Sequence, residues 1–90
     1  MKKVVGFRVD SPYHGLHELE MPVGALALVV SADPMKLGGL QIDALCPVEV
    51  PTEKRCFFVA ARGEDVDADL GRFVGSIKVG PYEHFVFEAG

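Results

Sequence analysis

The feature that most constrains the fold is a succession of short segments with alternating apolar residues, separated by glycine, proline or small polar residues. No stretch of ten or more residues holds a clean helical period, whereas strand patterns recur along the chain. These patterns fall at residues 3–9, 16–21, 25–32, 40–46, 54–61, 73–79 and 84–88. The sequence therefore predicts an all-β domain of about seven short, mostly antiparallel strands in a meandering order. A small barrel and a sandwich both fit this pattern.

Individual segments carry more detailed predictions. Residues 25–32 are apolar on both faces, which is typical of a central, covered strand, whereas residues 40–46 alternate and predict one buried face. Residues 73–79 and 84–88 predict a closing hairpin. At most one helical turn is expected, near residues 67–70.

A second hairpin is expected about Pro51. In a symmetric register, Cys46 would lie opposite Cys56 and Ala44 opposite Phe58, all on one face of the sheet. The two cysteines have no Cys-x-x-Cys spacing, so we interpret both as reduced core residues rather than as a disulfide framework.

Composition excludes several classes of function. Ninety residues predict one domain, residues 1–90, and a hydrophobic content of 49% exceeds what one small core needs, which favours self-association. The net charge is −4 and the basic residues are scattered, so general nucleic-acid binding is not expected. The longest apolar run, residues 25–30, is far shorter than the roughly 20 residues of a membrane-spanning helix. With no secretory signal pattern, we expect a cytoplasmic protein without membrane contact.

Four short motifs occur in a fixed order along the chain: EMPVGA at residues 20–25, EKRCF at 53–57, LGRFVGS at 70–76 and VFE at 86–88. Together they resemble a family of small phage and prophage proteins of unknown function. The resemblance covers roughly residues 4–88. It implies a compact β fold and a viral or mobile-element origin, with the cytoplasm of the host cell as location, but it brings no activity, cofactor or catalytic residue.

The chain departs from the pattern of this family at three places. The family usually has a tryptophan before the alanine of the central strand, where this chain has QIDA at residues 41–44 and contains no tryptophan. ARGE at residues 61–64 replaces a Gly-Thr-Gly-His turn. Phe85 stands where the family has a histidine near the end, and His84 is displaced by one position. A site built on that turn cannot be transferred to this chain.

Two patterns suggest a metal, and neither completes a ligand set. His14 and His17 are three positions apart, which would place them on opposite faces of a strand unless His14 lies in the turn. Residues 65–69 carry alternating aspartates like the start of a calcium loop, but Leu70 and Ser76 occupy the positions that require glycine and a carboxylate. We expect a solvated acidic loop, no metal and no cofactor.

Covalent catalysis would need a nucleophile beside a base, and Cys46 or Cys56 with His84 could supply the pair. Both cysteines lie within predicted strands among apolar neighbours, where thiols usually pack without reacting. No phosphate loop, carboxylate pair or Ser-His-Asp motif is present. We therefore predict that the protein is not an enzyme and has no catalytic residues.

Arg62, Arg72 and Tyr82 are the candidate ligand-binding residues. Guanidinium groups suit phosphate or carboxylate, and an aromatic ring beside them could stack on a nucleotide base. This prediction requires the two arginines to flank the same loop mouth. The alternative is that they are ordinary surface arginines that cover apolar neighbours.

The sequence leaves several functions open. The first is a small, non-enzymatic, phage-type protein that binds a host protein such as a defence or regulatory factor. The alternatives are a homo-oligomer that sequesters a small anionic ligand such as a signalling nucleotide, and a minor virion or assembly component. A hydrolase that uses cysteine or histidine ranks last. The expected partner is accordingly a host protein or a second copy of the chain.

Overall fold

The computed structural model describes residues 1–9, 15–32, 39–66, 71–79 and 81–89, which form seven β-strands in two antiparallel sheets. The strands are β1 (Lys2–Val9), β2 (Gly15–Pro22), β3 (Leu26–Ala32), β4 (Leu40–Pro47), β5 (Thr52–Ala61), β6 (Arg72–Val79) and β7 (Tyr82–Glu88). The predicted all-β class is confirmed, and the sheets do not close into a barrel. The helical turn expected at residues 67–70 lies outside the described residues. None of the described residues forms a helix with the length and apolarity needed to cross a bilayer.

The strand order is β1-β4-β3 in one sheet and β2-β5-β7-β6 in the other. The predicted β6–β7 hairpin is confirmed, and β3 and β4 form a second hairpin. The predicted meandering order is wrong. The strands that follow β1, β2 and β4 each lie in the other sheet, and β7 lies between β5 and β6.

The central strand of the three-stranded sheet is β4 rather than β3. In β4, Leu40 and Ile42 are fully buried and alternate with half-buried residues, as predicted for residues 40–46. The prediction of a central strand at residues 25–32 is wrong, because β3 lies at the sheet edge. Its second apolar face, which includes Leu26 and Val29, is exposed to solvent.

The hairpin predicted about Pro51 is also wrong. Cys46 lies opposite Lys3 in one sheet and Cys56 lies opposite Glu18 in the other. Because β5 pairs with β2 and β7, Ala44 and Phe58 are likewise in different sheets. The loop between β4 and β5 is anchored at its C-terminal end, where the Val23 backbone N–H donates to the Pro51 carbonyl at 2.9 Å. Both cysteines are free, as expected, but only Cys46 is buried.

One cluster of buried side chains fills the space between the sheets. Both sheets contribute to it, with Val9, Ala25, Ala27, Leu40, Ile42, Ala44 and Cys46 from the first and its flanks, and Met21, Phe57, Val59, Val74 and Val86 from the second. The molecule is 17 Å across its shortest axis. Sheets pack about 10 Å apart, so this thickness accommodates two layers. Within the described residues, no third layer covers the outer face of either sheet.

Candidate binding surfaces

Four apolar side chains form a continuous row across the outer face of the four-stranded sheet. Leu16 lies opposite Phe58, Phe58 opposite Phe87, and Phe87 opposite Phe73. Residues directly opposite each other project to the same face, and Phe57, the neighbour of Phe58, is fully buried in the core, so this row points outward. Its ends are open, with Leu16 62% and Phe73 52% exposed. We call these four side chains the aromatic row.

The apolar surface extends beyond the aromatic row. Phe85 lies opposite Ala60 in the next outward row, and the rings of Phe73 and Phe87 pack at 5.4 Å in a tilted arrangement. The segment after β5 brings Val66 over this surface and forms a shallow cavity of about 300 Å³ against Phe85 and Phe87. Four of the six phenylalanines of the chain thus lie outside the core.

The β2 border of this face is acidic. Glu18 and Glu20 are exposed beside Leu16 and project outward, since they alternate with the inward residues of β2. Lys54 lies opposite Glu20, whereas Glu18 lies opposite the uncharged Cys56. The face therefore combines an apolar centre with an unbalanced carboxylate at one edge.

The structure brings together two of the three predicted ligand-binding residues. Arg62 and Tyr82 line one cleft of about 380 Å³ at the tip of the β6–β7 hairpin, together with Lys78 and Glu83. Arg72 lies at the other end of this hairpin, opposite Glu88. The two arginines therefore do not flank the same loop. Lys78, which the sequence did not single out, lines the cleft with Arg62 and Tyr82.

Arg62 is held in place by its neighbours. Its guanidinium donates to and pairs with the Glu83 carboxylate, and its backbone N–H donates to the Glu83 carbonyl at 3.2 Å. The guanidinium also lies 5.5 Å from the centre of the Phe85 ring, in cation–π range. The hydrogen bond from Arg62 is the largest cause that lowers the pKa of Glu83, and the charges of Arg62 and Lys78 lower it further against an opposing desolvation.

Arg72 instead belongs to a polar latch, which we define as Arg55, Arg72 and Glu88. Arg55 donates from Nε to Glu88 at 2.7 Å and from Nη1 to the Ala25 carbonyl at 3.0 Å. Arg72 donates to the Ala27 carbonyl at 2.8 Å and to Glu88 at 3.4 Å. The latch joins the edge of β3 to the opposite sheet. Sequence reasoning missed Arg55, although its inward position, two residues before a core phenylalanine, was a usable signal.

The histidine and aspartate patterns do not assemble a metal site among the described residues. His17 projects inward opposite Phe57, and its Nε2 has no hydrogen-bond partner, whereas Glu18 projects outward. His14, Asp67 and Asp69 lie outside the described residues. Asp65 is exposed.

Neither cysteine lies on the same face of the same sheet as His84. His84 is 3% exposed and faces the core, whereas Cys56 alternates with the buried Phe57 and so faces outward from the same sheet. The Cys46 thiol lies on the inner face of the other sheet and donates to the Ala44 carbonyl at 3.6 Å. Cys56 and His84 therefore project to opposite faces of the four-stranded sheet.

Comparisons with known proteins add no relative. No family model matches the chain, and neither the curated proteins nor the solved structures yield a match. The functional inference therefore depends on the geometry of these surfaces.

Proposed function

We propose that this protein is a non-enzymatic binding module that docks onto a partner protein through the aromatic row. The observation that carries the proposal is the continuity of this row across all four strands, with more than half of Leu16 and of Phe73 exposed. Aromatic side chains are enriched in the buried centres of protein interfaces. Phenylalanine rings form no hydrogen bonds with water, so burial of this surface against a partner is energetically favourable.

The charge around the row favours a partner with an apolar centre and basic side chains along one border. Glu18 and Glu20 lie beside Leu16, and the whole chain carries a net charge of −4. Complementary charges accelerate encounter and fix the register of docking. A nucleic-acid partner is disfavoured, because phosphates would meet carboxylates at this edge.

For sheets packed with aligned strands, the position of Lys78 on this face favours a separate partner over a second copy. Lys78 of β6 also projects from this face. Along the strand direction it lies on one side of the aromatic row, whereas Glu18 and Glu20 lie on the other side. If two copies packed face to face about a two-fold axis with their strands aligned, β2 of one copy would face either β6 of the other at the same height along the strands, or β2 of the other. Neither arrangement brings Lys78 to the carboxylates of β2.

The motif resemblance to phage and prophage proteins suggests where the partner resides. A small acidic protein of such origin acts in the host cell, and a host defence or regulatory factor with a basic rim would be its target. This part of the proposal rests on the motifs at residues 20–25, 53–57, 70–76 and 86–88.

Capture from a lysate of the cells that carry the gene tests the proposal when it is done with matched variants. Phe73→Ser removes the exposed end of the aromatic row, and Leu26→Ser removes a similarly exposed leucine from the outer face of the other sheet. We expect one protein at stoichiometric level with the wild type and with Leu26→Ser, and its loss with Phe73→Ser. Higher salt should lower its recovery, because rim charges are screened.

Two results would overturn the proposal. One is that no protein is recovered at stoichiometric level, and the other is that Phe73→Ser recovers it as well as the wild type does. Circular dichroism of both variants verifies that they remain folded. A dimer of the wild type that dissociates on the Phe73→Ser substitution would replace the partner protein by a second copy of this chain.

A further inference from the structure

The cleft at the tip of the β6–β7 hairpin has features that docking through the aromatic row does not use. We call it the tip cleft, and it is lined by Ala61, Arg62, Lys78, Pro81, Tyr82 and Glu83. Its volume of about 380 Å³ lies at the lower end of the range for small-molecule sites, roughly 300 to 1,000 Å³. A cleft of this volume fits a ligand of about mononucleotide size better than a dinucleotide cofactor.

The tip cleft concentrates cations in an acidic protein. Among its lining residues, Arg62 and Lys78 contribute two positive charges against the carboxylate of Glu83, and the Glu64 carboxylate lies beside the cleft, where it accepts from the Ala61 backbone N–H at 2.9 Å. Arg62 uses one guanidinium nitrogen for Glu83 and lies against the Phe85 ring, and these two contacts favour one orientation before a ligand arrives. A guanidinium has five donors, so the fork retains donors for an anion. Prior orientation lowers the entropy cost of binding.

Tyr82 supplies the aromatic component of the site. Tyr82 is 66% exposed at the start of β7 and is among the residues that line the cleft. An exposed ring offers a stacking surface to a base, and such stacking is worth about 1–3 kcal/mol per base. Two cations with an adjacent open ring match a phosphate joined to an aromatic base better than they match inorganic phosphate.

We propose that the tip cleft binds a nucleoside monophosphate, with Arg62 and Lys78 on the phosphate and Tyr82 stacked on the base. Lys78 projects from the same face as the aromatic row but lies at the hairpin tip, away from the row, so the proposed site does not require docking through the row. The inference therefore stands or falls without the partner protein.

The test is a titration of the full chain with AMP, GMP, CMP and UMP, followed by amide NMR shifts. We expect saturable shifts at Arg62, Lys78 and Tyr82 with at least one nucleotide. Lys78→Gln should weaken that binding about tenfold or more, and Tyr82→Leu should weaken it about tenfold, as the loss of stacking predicts. The matched control is Lys54→Gln, which removes the same charge at the far end of the sheet and should change the affinity less than about twofold.

Three outcomes would overturn the proposal. The first is the absence of saturation with all four nucleotides. The second is equal weakening by Lys54→Gln and Lys78→Gln, which would show attraction to overall charge alone. The third is inorganic phosphate saturating the same amides as tightly as the nucleotides do, which would exclude a role for the base.

Discussion

Glu88 is the residue on which the polar latch depends. Its carboxylate is shared by Arg55 and Arg72, and the side chains of Glu88 and Arg55 are only 13% and 18% exposed. Arg55 also contacts Glu53, whose side chain is 45% exposed. The two carboxylates near Arg55 thus differ in burial. Because buried ion pairs cost more to break than exposed ones, we expect the two carboxylates to contribute differently to the free energy of unfolding.

Glu88→Gln is expected to lower the free energy of unfolding by about 2 kcal/mol, because it removes the less exposed of the two counter-ions of Arg55, whose own side chain is largely buried. The control, Glu53→Gln, should change it by less than about 1 kcal/mol, as for other exposed pairs. Urea unfolding with an unchanged slope measures both differences. Equal effects of the two substitutions would show that the latch contributes no more than a surface pair.

Glu83 provides a pH-dependent contribution to stability. Its folded-state pKa is lowered from the ordinary value of 4.5, first by the hydrogen bond from Arg62. A lowered folded pKa means that the stabilisation is complete above the unfolded pKa and is lost as the pH falls through the folded pKa. Glu83→Gln should therefore be less stable than the wild type above about pH 5 and converge with it in more acidic solution. Thermal unfolding from pH 7 to pH 2.5 measures the difference, and a constant gap would contradict the assignment.

At the scale of the elements, the positions of the strands could be predicted from alternation, but which strands lie next to each other in the sheets could not. Residues 40–46 were predicted with the correct buried face, because the alternation within one strand reports its own burial. Residues 25–32 were placed in the sheet centre, since an apolar run does not distinguish a covered face from an exposed one. The Arg55 and Arg72 bonds to the β3 edge join residues 30 and 45 positions apart, which no local pattern reveals.

The turn between β2 and β3 carries an element-scale prediction. The Ala25 backbone N–H donates to the Pro22 carbonyl at 3.0 Å, and Gly24 has a φ of 86°. Gly24→Ala should destabilise the fold by about 1 kcal/mol, because a side chain strains this left-handed conformation. Gly24→Asn should cost less, since asparagine tolerates the region better. Chemical unfolding ranks the variants, and an alanine variant as stable as the wild type would contradict the turn geometry.

At the scale of the whole molecule, two thin layers explain why an apolar-rich chain has apolar surfaces. The sheets share one core, and with a shortest axis of 17 Å the described residues add no further layer on either outer face, although Val66 lies over part of one of them. The excess of hydrophobic residues was visible in the composition. The sequence did not show that these residues line up in one row across four strands, because the row depends on pairings between strands that lie far apart in sequence. The candidate site was likewise predicted in part, through Arg62 and Tyr82.

The two cysteines report this layered arrangement directly. Cys56 should react with a small thiol reagent in the folded protein, because it lies half-buried on an outer face, whereas Cys46 faces the core and should react only on unfolding. Labelling followed by mass spectrometry should show one fast and one slow thiol. Cys56→Ser should remove the fast phase, and equal rates for both thiols would contradict the assignment of faces.

The measurement that tests the central claim most directly is the affinity of the purified partner protein for Phe73→Ser and for Leu26→Ser. Docking through the aromatic row predicts that Phe73→Ser weakens binding about 30-fold or more, which corresponds to a hot-spot residue of about 2 kcal/mol. Leu26→Ser, on the opposite face, should remain within about twofold of the wild type. Binding of Phe73→Ser within that same twofold range would contradict the account.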